Sequence, residues 1–189
     1  MIARLQLSLR KSAWLLALLI ITSALPAHAQ YDDPEVEMQE WLFKFEESQD
    51  QNGYIIIPKK GDGQQWDEER NEPYQLEVPS TRLLDGKPVV GLSGFESLKN
   101  LFEIIFPEEC HVKYICDKCF QYCTSLGLNG EALNLPKSVE TIGNSAFYEC
   151  TNLKVVNLRS NLKSIGVSAF EKCKSLESIT LPKKFESTA

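Results

Sequence analysis

The sequence predicts an α/β solenoid of about four short coils with an N-terminal β-hairpin cap, and three observations predict it. A block beginning at Leu135 recurs 23 residues later at Leu158, with Ile142 matching Ile165, Gly143 matching Gly166, Ala146-Phe147 matching Ala169-Phe170, and Cys150 matching Cys173. Self-similarity at a fixed period marks stacked repeats, because one unit cannot bury its apolar face alone. Within the unit, Leu153-Lys-Val-Val-Asn-Leu158 has the spacing of a short strand with Leu153, Val156 and Leu158 inward. The stretches Asn144 to Cys150 and Val167 to Cys173 suit a short helical turn on the opposite side, their Phe and Cys facing in. Finally, Trp41-Leu-Phe-Lys-Phe45 alternates at period two, and Tyr54-Ile-Ile-Ile57 follows a polar turn ending in Asn52-Gly53, which reads as a hairpin.

Taken in order, residues 1–29 read as a signal peptide. Arg4, Arg10 and Lys11 form a basic start, Ala13 to Leu25 an apolar core, and Ala27-His28-Ala29 a small-x-small cleavage signal before Gln30. The apolar run is shorter than the roughly 20 residues a membrane span needs and ends at Pro26, so no membrane span is expected in the mature chain. The expected location is secreted, periplasmic or cell surface.

The whole chain holds 20 Lys plus Arg, 26 Asp plus Glu and 43% apolar residues, a globular balance that excludes intrinsic disorder and a membrane bundle. Removing residues 1–29 takes away three basic groups and leaves 17 against 26, a net of −9, which argues against a nucleic-acid partner. The acidity is concentrated: Gln30 to Ser80 carries 14 acidic and 4 basic groups, Thr81 to Ala189 carries 12 and 13. This shift places a boundary near Ser80, giving an acidic capping region with the hairpin at 30–80 and the solenoid at 81–189. A solenoid's first coil has an open apolar face, and an amphipathic hairpin covers it most simply. Lys60 to Asn71, with Gly61, Gly63 and Trp66, is a second possibility, a ligand-binding loop.

Beyond the boundary the repeat frame extends backwards. Val90, Gly91, Phe95, Leu98, Leu101, Ile104 and Phe106 form one copy; Ile115, Phe120, Cys123, Leu126, Leu133 and Leu135 form the next. The Phe column Phe95, Phe120, Phe147, Phe170 then has offsets of 25, 27 and 23, the extra residues lying near Glu108 to His111 and Gly127 to Gly130. Loops absorb such insertions at small entropic cost. Pro136 and Pro182 end strands by removing a ladder donor. Leu181-Pro-Lys-Lys-Phe185 begins a fifth copy, but Thr188 and Ala189 stand where Ile and Gly belong. The apolar side of this coil therefore invites self-association, a partner, or further repeats if the chain is a fragment of a longer array.

The phrases Ile142-Gly-Asn-Ser-Ala-Phe-Tyr-Glu-Cys-Thr-Asn-Leu153 and Ile165-Gly-Val-Ser-Ala-Phe-Glu-Lys-Cys-Lys-Ser-Leu176 resemble the BspA-like, treponemal-type leucine-rich repeats of many bacterial surface and secreted proteins. The resemblance runs from about Leu76 to Phe185, and Val78 to Lys87 is similar to the segment that leads into the family's first full repeat. It departs at Gly94 and Cys119 in the Ala column and at Leu98 in the Cys column. What it implies is a curved leucine-rich-repeat solenoid that acts in adhesion and recognition without chemistry of its own. The expected function is thus an exported, non-enzymatic binding module for a protein or a cell-surface polymer, engaged through the concave face.

By period two, the outward positions on that face are Glu103 and Ile105, Ala132 and Asn134, Val155 and Asn157, then Ser178 and Thr180. They are small and mostly uncharged, as a flat protein or polymer contact requires. No cofactor is expected. The alternative is an exported thiol or metal protein using the Cys110 to Cys123 cluster, since Cys116-Asp-Lys-Cys119-Phe-Gln-Tyr-Cys123 has a C-x-x-C spacing with Cys110 and His111 nearby. A thiolate zinc site wants four ligands, and the repeat already explains Cys119 and Cys123 as inward, space-filling thiols. Cys123, Cys150 and Cys173 share one column and read as buried free thiols rather than bridges. Catalytic patterns are absent: His111 is the single His after residue 29, and Gly91-Leu-Ser-Gly94 misses the nucleophile elbow by one position.

Overall fold

A computed structural model describes residues 33–59, 73–158, 161–182 and 185. The signal peptide expected at 1–29 and the loop of Lys60 to Asn71 lie outside the described residues.

The described chain opens with a helix, α1 (Pro34–Leu42). Asp33 caps it by accepting the Glu35 N–H at 2.8 Å, and Pro34, which has no N–H to satisfy, takes the first helical position. The period-two alternation placed a strand from Trp41. The helix instead runs through Trp41 and Leu42, and the strand starts at Phe43. From there β1 (Phe43–Glu47) pairs antiparallel with β2 (Tyr54–Pro58), in the register Phe45 opposite Ile56. The turn between them is closed by Ser48 N–H to the Gly53 carbonyl at 2.9 Å, with Gln51 at φ 55°.

Four coils follow, each giving a strand to two ladders. The first ladder adds β4 (Val89–Leu92), β6 (Tyr114–Ile115), β8 (Thr141–Ile142) and β10 (Ser164–Ile165) in parallel to the hairpin, making one six-stranded sheet in the order β1-β2-β4-β6-β8-β10. The second holds β3 (Tyr74–Glu77) with β5 (Leu101–Ile105), then β7 (Leu133–Asn134) with β9 (Val155–Asn157) and β11 (Ser178–Thr180). It is broken between β5 and β7, where Gly127 to Gly130 are inserted.

The registers explain the inward columns. Ile56, Leu92, Ile115 and Ile142 are aligned strand to strand and are at most 1% exposed. Between the ladders runs the phenylalanine spine. Ring centroids of Phe95, Phe120, Phe147 and Phe170 are 5.4, 5.4 and 5.2 Å apart and stacked, with Phe43 of the hairpin 6.4 Å beyond Phe95. The hairpin thus continues both the sheet and the spine.

The Phe-bearing segments are turns, not helical turns. Lys118, Tyr122, Ser145, Glu149, Ser168 and Lys172 adopt φ between 53° and 63°, two per coil at equivalent positions. A helix would point its N–H groups along its own axis. These left-handed residues turn them toward the next coil instead: Phe120 donates to the Ala146 carbonyl at 2.7 Å and Phe147 to Ala169 at 2.8 Å, while Ser145 and Glu149 reach Val167 and Glu171. The backbone is therefore satisfied between coils.

Arg82 ties the hairpin to the loop ahead of β4. Its guanidinium donates to both Glu40 carboxylate oxygens, at 2.6 and 3.2 Å, and lies 5.1 Å from the Phe45 and Tyr54 ring centres. Tyr54 in turn donates its hydroxyl to Asp85 at 2.7 Å. The paired carboxylate holds Arg82 well above the usual arginine range.

Candidate binding faces

On the second ladder the parallel pairing aligns Asn134 with Asn157 and Asn157 with Thr180, and Val155 with Ser178. The two amides join: Asn157 Nδ2 donates to Asn134 Oδ1 at 2.8 Å, and Asn134 Nδ2 donates to the Ala132 carbonyl at 2.9 Å. Asn134, Ser178 and Thr180 are exposed; Ala132, Val155 and Asn157 are half-buried. Glu103 and Ile105, also half-buried, lie on the neighbouring β3-β5 pair rather than in the same hydrogen-bonded sheet. There Glu103 accepts from Gln75, which stands opposite it in register. β3 precedes the first full copy, so the repeat carries no signal for Gln75.

The cysteines follow the repeat. Cys123, Cys150 and Cys173 each donate a thiol to the backbone of the preceding coil, at the carbonyls of Phe95, Phe120 and Phe147, over 3.1 to 3.2 Å. All six cysteines are free; Cys110 and Cys116 are half-buried and the other four buried. Burial pushes the Cys119 and Cys150 thiols well up and Cys173 to about 11, and it raises Cys110 and Cys116 as well. Among the described residues no group of three His, Cys, Asp or Glu side chains is placed to hold a metal ion. Because a reagent must reach the sulfur before it can react, the half-buried Cys110 and Cys116 should react with a thiol reagent in the folded protein while the buried Cys119, Cys123 and Cys150 wait for unfolding. Titration of the native and the guanidinium-unfolded protein, with peptide mapping of the modified sites, checks this; rapid native labelling of Cys150 would contradict it.

A further feature lies on the outer side of the first ladder. Ile55, Gly91, Tyr114, Thr141 and Ser164 share one register row. The hairpin turn rises beside this row and leaves an open groove of about 590 Å³, lined by Ser48, Asp50, Ile55, Tyr114, Asp117 and Thr141 among others. Asp50 accepts the Ser48 hydroxyl at 2.6 Å and the Asn52 N–H at 3.3 Å, and these bonds hold its carboxyl down at about 2. Asp117 accepts the Asn144 backbone N–H at 2.7 Å and its Nδ2 at 3.2 Å; Asn144 repeats the motif by accepting the Val167 N–H at 2.8 Å. Period two along the first strand of each coil marks this row in the sequence. The hairpin turn that closes the groove gives no such signal.

Comparison with known proteins agrees with this architecture. The BspA type leucine rich repeat region matches residues 79–189, in six copies. Among solved structures, a leucine-rich repeat protein from Bacteroides ovatus shares 22% identity over 76% of this chain with a TM-score of 0.56. The chain covers 41% of that protein, and the likeness is one of fold. A leucine rich repeat protein of T. pallidum shares 24% identity over 75% of this chain and 69% of its own, at a TM-score of 0.49. A leucine rich cell surface protein from Faecalibacterium prausnitzii shares 12% identity over 82% of this chain and 55% of its own, at 0.26. No curated protein sequence matches the chain. With more than half of its length matched by that repeat, and with the Gly, Phe and Cys columns stacked coil on coil, the chain belongs to the BspA-type leucine-rich repeat family.

Proposed function

We propose that this protein is an exported, non-enzymatic binding module that recognises a protein or a cell-surface polymer through the outward face of its second ladder, the concave face of the solenoid. The observation that carries the proposal is the row Asn134, Val155, Asn157, Ser178 and Thr180: short side chains in register, without a charge among them, and with the two amides already fixed by their mutual bond. A rigid, level surface loses little side-chain entropy on contact, which favours a flat partner. Repeat solenoids offer such extended faces for recognition. Export rests on the basic, apolar and small-x-small pattern of residues 1–29.

The test is a double substitution, Asn134→Arg with Asn157→Arg. Two long cations on the row should abolish capture of the ligand from host or envelope extracts while leaving the thermal midpoint within a degree or two, since surface changes rarely cost more than about 0.5 kcal/mol. Undiminished capture by the folded double variant would remove this face from consideration.

A further inference from the structure

We infer that the groove between the hairpin turn and the first ladder is a second binding site, and that its ligand is a neutral polyhydroxyl chain, a short stretch of oligosaccharide. The inference is independent of the second-ladder face, because it rests on different residues of a different sheet.

Size is the first argument. A volume of about 590 Å³ is that of a small-molecule pocket, and the groove is open to solvent. The floor is the second. Gly91 stands between Ile55 and Tyr114 in the register row, and a Cβ there would come within 3.0 Å of Ile55 Cγ1 and 3.4 Å of Tyr114 Cβ. The neighbouring side chains therefore close over the glycine and make one apolar strip, half-buried and ending in a phenol. Such a strip suits the C–H face of a sugar ring, and an aromatic residue with a polar tip suits a ligand that is apolar on its faces and wet at its edges.

The walls supply the polar half. Asp50 holds three internal bonds: Ser48 hydroxyl and Asn52 N–H on Oδ1, and the Tyr114 hydroxyl at 3.4 Å on Oδ2. Asp117 holds two, both from Asn144. A carboxylate has about four acceptor positions, so each keeps capacity for a ligand hydroxyl, and such charge-assisted bonds are the stronger kind. The same internal bonds pin the carboxylates in place before any ligand arrives. The Thr141 hydroxyl adds a group that both donates and accepts.

Charge decides between ligand classes. Two carboxylates in one groove repel sulfated or uronate-bearing chains. This chain already brings positive side chains to the groove, Lys113 toward Asp50 and Lys163, paired with Glu140 at 2.6 Å, beside Tyr114, so a cationic ligand would meet like charge as well as the two carboxylates. What remains attractive is a neutral ligand rich in hydroxyls.

The experiment is saturation-transfer NMR and calorimetry on the purified chain with four neutral tetrasaccharides (maltotetraose, cellotetraose, mannotetraose, chitotetraose), a sulfated tetrasaccharide and a lysine-rich peptide. At least one neutral sugar should bind, and Tyr114→Ala and Thr141→Arg should each weaken it tenfold or more with the thermal midpoint retained. The Asn134→Arg, Asn157→Arg double variant should bind it unchanged, which separates this site from the second-ladder face. Absence of binding by every neutral sugar at millimolar concentration would overturn the inference. So would preference for the sulfated sugar or the peptide, or binding that survives both groove substitutions.

Discussion

Phe147→Ala should lower the stability of this protein by about 3 to 5 kcal/mol, the range for deleting a fully buried phenylalanine. The ring is wholly enclosed, stacked on Phe120 at 5.4 Å and on Phe170 at 5.2 Å. Removing it takes away the apolar surface that two adjacent coils share and leaves a hole whose walls cannot close, since the backbone on either side is fixed by Phe147 N–H to Ala169 and Phe120 N–H to Ala146. For a chain of this size each kcal/mol shifts the midpoint by roughly 2 to 4 °C, so a fall on the order of 10 °C is expected in thermal unfolding. In a solenoid each coil leans only on its neighbours, and the loss is therefore concentrated on the third and fourth coils. Hydrogen exchange should accelerate there first. A shift of a degree or two would mean that the column does not form the core.

The reason this column was legible in the sequence is that repetition multiplies a weak signal. One Phe flanked by polar residues says little. The same Phe in register with Gly, Ala, Cys and Leu across successive copies fixes burial, strand position and coil order together, and Phe95, Phe120, Phe147 and the Cys column are all where that logic puts them. Features outside the period were not readable. The Asp33-Pro34-Glu35 start of α1 is a capping signal, but the alternation of Trp41 to Phe45 next to it has the period of a strand and masks the end of the helix. The left-handed residues of the Phe turns are Lys, Tyr, Ser and Glu, none of which announces a positive φ, so a helical turn was the natural inference. They are held there by hydrogen bonds between coils, a tertiary effect that overrides local preference. The Arg82 clamp joins residues 42 apart, and the groove needs a turn and a sheet that are distant along the chain. Binding faces of this kind are properties of assembly. The sequence supplies their chemistry and not their neighbours.

Gly143→Ala should be strongly destabilising, although it changes neither charge nor polarity. The repeat aligns Gly143 with Gly166, and φ does not require a glycine at either; what requires it is the approach of one coil to the next. A Cβ on Gly143 would lie 2.4 Å from Asp117 Oδ1, 2.5 Å from Asp117 N and 2.7 Å from the Cys116 carbonyl carbon. The carboxylate could swing aside, at the expense of the 2.7 Å bond it accepts from Asn144 N–H. The two backbone atoms cannot, because Gly143 N–H is bonded to the Ile115 carbonyl at 2.8 Å and Lys118 N–H to the Asn144 carbonyl at 2.8 Å, on either side of the contact. Relief requires the second and third coils to separate at this corner, which strains both ladders. Forcing one extra carbon into a close-packed site costs about 1 to 3 kcal/mol and more where backbone must move, so a loss near the top of that range is expected, about 3 kcal/mol. Gly166→Ala meets the same obstruction, 2.4 Å from Asn144 N and 2.5 Å from the Gly143 carbonyl carbon, but in the last of the described coils. There the strain should be released by local opening. Its signature is fast exchange of the amides around Ser164 to Ala169 with a smaller midpoint shift than Gly143→Ala produces. Equal and small shifts for the two variants would show that the coils are spaced more widely at this corner than the Asp117 and Asn144 bonds imply. In that case the column of glycines would need an explanation other than contact.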